Sequence, residues 1–592
     1  VIKIEKIDSK FFLSFKGNNF LDILEIVKGE GLRYDEKLGK WLGNKKIFYN
    51  VINQLKEIEY VEVSNEILEE IKPKPRIEFE RRECKKELML SEPLGKYQLE
   101  DIETMLSTNG IINGIDVGLG KTIETITVLN HLYNNKEIDK IFIVTFAQAV
   151  YNWKKEFLKF SSFFKDEDII IANKELRNPF IDNPKIIICS YNTLVLIQKF
   201  FKKDFTKLSR KSNLPLNTWG NKRAIILDES HAIKSNSLRT KACLTIKDYF
   251  EFRYLLSATP YPNNAAELYF QLEMIDENII YKNHEPFLRS IANIGNQYGD
   301  YAINYFYPDK VKEFVEKISP YIFRRYKKDC LPNLPEQYIK KIYVELNEKQ
   351  RKIYQMIIMK TLQSLKEKKG ILLVKDVLNK FPYLILTLSD PSIVKGRLIE
   401  DKNILFNTDE IDKLLDNWNF EDNSKLEACS DIIENHEGEK IIIWSSHPVT
   451  IEKLAKYYEN RLPFIIHGNS QGKEDKEAHR DRILEEFKAS KDRNLIIMNP
   501  GIMGTAINIK ESTVSIFFDR TYDIKEWLQA LGRNHRGNST KEVFVYVLIN
   551  DNTLENRQDA ILEGKDMLDK NLLKYDSLPK EEWLKIFGGK IE

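Results

Sequence analysis

Charge of one sign, paired cysteines and long apolar runs are what this 592-residue sequence lacks. Its 91 basic and 89 acidic residues leave a formal net charge of +2, so bulk charge says nothing about a polyanionic partner, which has to be argued from local clusters. The five cysteines (Cys84, Cys189, Cys243, Cys330 and Cys429) never form a C-x-x-C pair, which excludes an obvious zinc site and a disulfide framework and suits a reducing compartment. No apolar run reaches the roughly 18–20 residues needed to cross a bilayer, and the charged start does not read as a signal peptide. The expectation is therefore no membrane partner and an intracellular setting, cytoplasmic or nucleoid-associated, with a viral source left open. The eight histidines are dispersed and form no nuclease or methyltransferase constellation.

What is present is enough chain for several cores, with 42% hydrophobic and 30% charged residues, an ordinary globular mixture. Ile2 and Ile4, then Phe11, Leu13 and Phe15, alternate as strands do, and Phe20–Val27 carries a helical apolar stripe, so residues 1–70 read as a small α+β module. The Lys-Pro-Lys-Pro-Arg run at Lys72–Arg76 resists helix and central strand and marks a linker over 71–88. The mixed charge of Lys72–Lys86 reads as a solvated linker, with a DNA-facing strip as the alternative.

Beyond residue 88, strand-length apolar runs alternate with helical stretches: Ile141–Thr145, Ile186–Ser190, Ile225–Asp228 and Tyr254–Thr259, then Ile441–Ser445, Phe464–His467, Leu495–Asn499, Ser515–Asp519 and Val543–Leu548. Continuous apolar strands between helices predict parallel sheets covered on both faces, and two sets predict two α/β lobes. The lobes are placed at 89–265 and 424–560, with helical insertions and a connecting linker over 266–423 and a helical tail over 561–592. Ligands in such sheets bind beyond the carboxyl ends of the strands.

Two strand ends carry chemistry. In Asp116-Val117-Gly118-Leu119-Gly120-Lys121-Thr122, the glycines let backbone amides approach a phosphate at a helix N-terminus. Lys121 would contact the β- and γ-phosphates of ATP and Thr122 would hold magnesium. Ile115 stands where the usual first glycine belongs, so an ordinary glycine-rich turn is the alternative for this segment alone. The second end is Ile225-Ile226-Leu227-Asp228-Glu229: Asp228 can bind the metal and Glu229 can activate water. A helix cap or solvated loop is the commoner fate of an Asp-Glu pair, but the two elements in this order favour the catalytic reading.

From these residues onward the sequence resembles the Swi/Snf-type ATPases of helicase superfamily 2, over about residues 90–560. Tyr97-Gln98 is similar to the family's adenine-reading element. Asn152-Trp153 resembles motif Ia, with Phe146 in place of a proline; Ser190-Tyr191 resembles motif Ib and Leu256–Pro260 motif III. Phe323-Arg324-Arg325 with Lys327-Lys328 and Leu334-Pro335 resembles the inter-lobe linker. Trp444–His447 is similar to motif IV, and His467-Gly468 with Arg480 and Phe487 to the element after it. Gly504-Thr505-Ala506 with Asn508 is similar to motif V and Gln529–Gly537 to motif VI, where Asn538 replaces the family's Gln.

The resemblance implies two RecA-like lobes, ATP and magnesium as cofactors, and double-stranded DNA as partner. It also implies a nucleotide site of Tyr97, Gln98, Gly118, Leu119, Gly120, Lys121, Thr122 and Gly504. Catalytic groups would be Lys121, Asp228, Glu229, Gln529, Arg533 and Arg536, with metal held by Thr122 and Asp228. DNA contacts would fall on Trp153, Ser190, Ser257, Ser445, His447 and Thr505. Arg533 and Arg536 are three apart, a spacing that puts both on one helix face.

Ala266–Tyr269 is similar to the annealing-helicase branch, and Gly31–Asp35 with Lys40-Trp41 resembles that branch's HARP-type module, which engages branched DNA. A small core formed by Tyr34 and Trp41 is a compatible, plainer reading. Fork or junction remodelling in replication, recombination or repair is thus the expected work. Displacement of proteins from DNA and a non-catalytic DNA-binding scaffold are the alternatives.

Overall fold

The computed structural model describes residues 2–563 except 8–9, 17–18, 75, 81–93, 173–178, 181, 202–218, 262–263, 298–299, 368–382, 395–408, 469–475, 503–508, 536–538, 557 and 561. The chain divides into two compact units, the first holding residues 1–116 and 120–325 and the second residues 117–119 and 326–566.

The first unit begins with the α+β module expected from the alternating residues. Strands β1 (Ile2–Ile7), β2 (Lys10–Phe15), β3 (Arg33–Asp35), β4 (Lys40–Gly43) and β5 (Val61–Glu62) form one sheet in the order β3-β4-β2-β1-β5. Ile2, Ile4, Phe11 and Leu13 are buried against helices Phe20–Gly29 and Lys45–Leu55. The β3–β4 hairpin turns where Asp35 Oδ1 accepts the amides of Lys37 (3.0 Å) and Leu38 (3.2 Å), a local bond that Asp forms readily. That turn sets Tyr34 opposite Trp41.

The module is fastened to the rest of its unit. Lys46 pairs with Glu273 at 3.2 Å, Asn50 Nδ2 donates to Tyr281 O at 2.9 Å, and the Tyr49 and Tyr281 rings lie 5.3 Å apart. The Lys72–Arg76 stretch, expected as a solvated linker, is tied down at its end: the Arg76 amide donates to Asp276 at 2.7 Å and its guanidinium to the carbonyls of Phe250, Glu251 and Ile275. Multiple carbonyl acceptors, invisible in local composition, override the linker reading at Arg76.

The main sheet of this unit is parallel, in the order β14-β6-β11-β10-β7-β9-β8. Its strands are β6 (Gly110–Asn113), β7 (Lys140–Thr145), β8 (Ile169–Ala172), β9 (Ile186–Ser190), β10 (Arg223–Asp228), β11 (Phe252–Leu256) and β14 (Ile322–Phe323). Every residue of β6, β7, β10 and β11 is buried, as a sheet covered on both faces requires. A separate antiparallel hairpin joins β12 (Ala292–Gln297) and β13 (Asp300–Phe306).

The second unit carries a parallel sheet in the order β15-β20-β19-β16-β18-β17. These are β15 (Gln337–Val344), β16 (Ile441–Trp444), β17 (Phe464–Ile466), β18 (Leu495–Met498), β19 (Val514–Phe517) and β20 (Val543–Asn550). The 266–423 span was expected to supply only helices outside both sheets; it supplies β14 to the first sheet and β15 to the second. β15 escaped the apolar pattern because it is an edge strand in which Tyr338, Ile339 and Tyr343 are exposed. Of the expected helical tail, all but residues 562 and 563 lies outside the described residues.

Candidate functional site

Parallel order brings three polar strand ends side by side, because β6, β11 and β10 are neighbours. The turn after β6 opens the helix Lys121–Asn134. Gly118 (φ 88°) and Gly120 (φ 105°) lie in the left-handed region that favours glycine. A Cβ on Gly120 would also collide with the Gln98 side chain. Gln98 is itself held by its Oε1, which accepts the Gly95 amide at 2.9 Å. The adenine-reading pair and the phosphate turn expected from sequence are therefore in contact at Gln98 and Gly120.

Lys121 Nζ donates to the carbonyls of Ile115 (2.7 Å) and Asp116 (3.2 Å). Desolvation pushes the Lys121 ammonium pKa down, opposed by the charges of Glu229, Asp116 and Asp228. Those oppositions place the lysine in the field of the Asp-Glu pair at the end of β10. Thr122 is half-buried at the helix start and Leu119 is buried.

Asp228 is anchored through one oxygen: its Oδ2 accepts from Thr145 Oγ1 (2.7 Å) and Trp153 Nε1 (2.8 Å), while its carbonyl accepts the Tyr191 hydroxyl (2.9 Å). Glu229 follows with φ 54°, a conformation costly for a residue with a side chain, and is only 4% exposed. Its Oε2 lies 3.3 Å from His231 Nδ1, which lies 3.0 Å from Ser257 Oγ; that oxygen accepts the Thr259 amide at 3.2 Å. His231 thus lies between Glu229 Oε2 and the Ser257-Ala258-Thr259 turn, hydrogen-bonded to Ser257.

Asn113 closes the arrangement from behind. Its carbonyl accepts the Ser257 amide (3.0 Å), its Oδ1 accepts the Ile115 amide (3.2 Å), and its Nδ2 donates to buried Glu124 (3.3 Å). Desolvation drives the Glu124 carboxyl far above the ordinary range. Arg324 donates to the carbonyls of Gly114 and Ala258, bridging the strand ends of β6 and β11. None of Thr145, Asn113, His231 and Arg324 had been assigned a role in the site from sequence; a polar residue ending an apolar strand was the available signal for Asn113 and Thr145.

In the second unit, the turn after β16 is built on Asp519. Its Oδ2 accepts from Ser389 and Ser445 (2.6 Å each), and its Oδ1 accepts the Ser446 amide (2.6 Å). Burial alone would raise this carboxyl; the nearby His447 ring and the three donors hold it below the ordinary aspartate range. His447 is half-buried and its amide donates to Ser445 Oγ at 3.3 Å. Gln529 and Arg533 are buried on helix Ile524–Asn534. The end of that helix is held by the linker: Lys327 Nζ donates to His535 O (2.8 Å) and His535 Nε2 lies 2.7 Å from Pro335 O. Gly504, Thr505 and Arg536 lie outside the described residues.

Three residues expected on DNA are interior. Trp153 is 2% exposed and holds Asp228, while Ser257 and Ser445 are fully buried, on His231 and Asp519. Their side chains satisfy buried charged or polar groups, which excludes them as surface contacts in this arrangement. Ser190 is half-buried, with its Oγ accepting the Thr193 amide at 3.1 Å as a helix cap, and Tyr97 is half-buried beside Gln98. Among the described residues no cluster of three or more His, Cys, Asp or Glu side chains forms a metal site. The residues expected from sequence to hold a cation, Thr122 and Asp228, supply one hydroxyl and one carboxylate. That set fits magnesium, which keeps water and phosphate oxygens in most of its positions.

Comparison with known proteins finds two domain families along the chain. The SNF2-related domain matches residues 60–387 and the helicase conserved C-terminal domain matches residues 424–538. An uncharacterized ATP-dependent helicase of Mycoplasma genitalium is 28% identical over 513 residues, covering 83% of this chain and 44% of that protein. The human SWI/SNF-related matrix-associated actin-dependent regulator of chromatin subfamily A member 1 is 26% identical over 526 residues, covering 83% of this chain and 46% of its own. The chain thus spans less than half the length of either relative. A Sulfolobus solfataricus SWI2/SNF2 ATPase core solved with double-stranded DNA is 22% identical, with a TM-score of 0.37, covering 87% of this chain and 100% of its own. The chain belongs to the SNF2-related family, and a helicase C-terminal domain follows its SNF2-related domain.

Proposed function

We propose that this chain hydrolyses ATP with magnesium to move along double-stranded DNA, and that it uses that movement to remodel forks or junctions by annealing, branch migration or fork reversal. The observation that carries the reading is the grouping of Lys121, the Asp228-Glu229 pair and the Ser257–Thr259 turn at neighbouring strand ends, where Lys121 feels both carboxylates. Lys121 and the amides of the glycine turn bind the β- and γ-phosphates, with Tyr97 and Gln98 at the adenine. Thr122 and Asp228 would hold magnesium, which would screen phosphate charge. Glu229 takes a proton from the attacking water, and its burial in a left-handed conformation fixes the direction of that carboxylate.

Arg533 and Arg536 stabilise charge on the γ-phosphate during transfer, and Gln529 and Gly504 assist from the same domain. His231, between Glu229 and Ser257, links hydrolysis to the segments that track the DNA strand. His447, Ser190 and Thr505 are the tracking contacts kept from the sequence reading. Fork specificity rests on the N-terminal module, where the sequence Gly31–Asp35 with Lys40-Trp41 resembles the HARP-type pattern. ATP hydrolysis measured with single-stranded, blunt duplex, forked and four-way DNA, and with RNA, tests the whole reading. Duplex or forked DNA should stimulate most; RNA as the best activator would refute it.

A further inference from the structure

Gly114, Ile115 and Asp116 lead from β6 into the glycine turn, and each of their backbone polar groups has a partner. The Gly114 amide donates to Phe323 O (2.9 Å), the Ile115 amide to Asn113 Oδ1 (3.2 Å) and the Asp116 amide to Arg325 O (3.0 Å). The Gly114 carbonyl accepts from the Arg324 guanidinium, while the carbonyls of Ile115 (2.7 Å) and Asp116 (3.2 Å) accept from Lys121 Nζ. These partners are of two kinds. Phe323–Arg325 extends the parallel pairing of β14 with β6 and does not depend on the lysine. Lys121 supports the segment only while its ammonium is not drawn elsewhere.

Under the ATP reading, the ammonium is drawn to the β- and γ-phosphates. The carbonyl of fully buried Ile115 then loses its donor, and a buried acceptor left unmade is costly. From that moment the segment depends on Asn113 and the linker. Arg324 stands apart from its neighbours because the same Nη1 that reaches Gly114 O also reaches Ala258 O, so one guanidinium ties the entry of the phosphate turn to the end of β11. The fit is close: a Cβ on Gly114 would lie 2.6 Å from Arg324 Cδ and 2.9 Å from Phe323 O. Gly114 is not left-handed, so the glycine is required for space. Arg325 anchors the same stretch to helix Lys96–Leu106 through Asp101 and through Glu100 at 2.9 Å.

We propose that Arg324 is a positioning residue for nucleotide binding, holding the entry of the phosphate turn against the Ser257–Thr259 turn while Lys121 exchanges the Ile115 and Asp116 carbonyls for phosphate oxygens. The proposal rests on the ATP reading above and adds a linker residue to that site. Arg324 supports every state in which Lys121 sits on phosphate, ground state and transition state alike. Its loss therefore weakens ATP binding and leaves turnover at saturation nearly constant.

The test measures steady-state ATP hydrolysis by the full chain with saturating duplex DNA, alongside the equilibrium affinity for a fluorescent ATP analogue. Arg324→Met keeps an apolar stem over Gly114 and removes the donors. Its KM for ATP and Kd for the analogue should each rise roughly 10–100-fold, the range for lost hydrogen bonds to a charged group, with kcat within about threefold of wild type. Gly114→Ala keeps every charge and donor but displaces Arg324, and it should raise the same two constants. It also decides the matter if Arg324→Met does not fold. Wild-type constants in Arg324→Met, or a fall in kcat at unchanged KM, would overturn the proposal, because the latter reports only fewer active molecules. A rise in Arg324→Met without one in Gly114→Ala would make the effect one of charge and not of placement, and would overturn it too. Absence of ATP hydrolysis and of analogue binding in the wild type would instead strike the ATP reading itself.

Discussion

Asp228 and Asp519 occupy similar places in the two sheets, each buried at the carboxyl end of a central strand region, yet their oxygens are used differently. Asp228 is anchored on Oδ2 alone, by a threonine hydroxyl and an indole N–H. Asp519 is engaged on both oxygens, by two serine hydroxyls and a backbone amide. A carboxylate held by one oxygen keeps the other for a cation, whereas one saturated by donors can only hold a turn in shape. In the proposed reading, the same residue type serves chemistry in the first unit and architecture in the second.

Substitution of each aspartate should expose the contrast. Asp228→Asn removes the proposed anionic magnesium ligand. Several kcal/mol of charge stabilisation translate into a fall in ATP turnover of roughly 10²–10³-fold, with the unfolding midpoint little changed. Asp519→Ala leaves buried hydroxyl and amide donors without their acceptor, and urea unfolding should register a loss of about 3–5 kcal/mol from the second unit. Per folded molecule, its turnover should change much less than that of Asp228→Asn. A stable Asp519→Ala protein, or an Asp228→Asn protein with wild-type turnover, would erase the distinction.

A smaller effect is expected at Trp153. Trp153→Phe deletes one hydrogen bond to a charged group, worth about 1.5–3 kcal/mol, and should lower turnover by roughly 10–150-fold at most with DNA affinity unchanged. Weakened DNA binding with normal turnover would return Trp153 to the DNA surface.

The smallest effect concerns pH. The Asp519 carboxyl lies below the ordinary aspartate value, so its contribution to stability is present above about pH 4 and is lost as pH falls through the folded value. Asp101 has the opposite sign. Burial, opposed by its bond to Arg325, pushes its carboxyl up to about 6, so the folded state keeps a proton the unfolded chain has released. Its contribution therefore declines between the ordinary value near pH 4 and about pH 6. Thermal midpoints across that window should show the stability advantage of wild type over Asp101→Asn shrinking as pH rises. A constant difference would remove the linkage.

The placement of polar strand ends was the most legible part of the sequence. Gly118, Gly120, Lys121, Asp228 and Glu229 announce themselves because polar residues stop an apolar run, and parallel sheets gather such stops on one edge. The partners of those residues were not legible. Thr145 and Trp153 reach Asp228, and Ser389 reaches Asp519, across long sequence separations with no local pattern to mark them. Motif membership also says nothing of direction: Trp153, Ser257 and Ser445 were placed on DNA, and each points into its own unit to satisfy a buried group. Among strands, β6 is too short and β15 too exposed and charged to read as buried-sheet strands, although both complete their sheets.

Steady-state ATP hydrolysis with saturating blunt duplex DNA, compared between wild type and Glu229→Gln, bears most directly on the assignment of this edge as a hydrolytic site. Wild type should be strongly stimulated by the duplex. The variant should still bind it and lose about 10²–10⁴-fold in turnover, as removal of a general base does. Undiminished hydrolysis by Glu229→Gln would contradict the account.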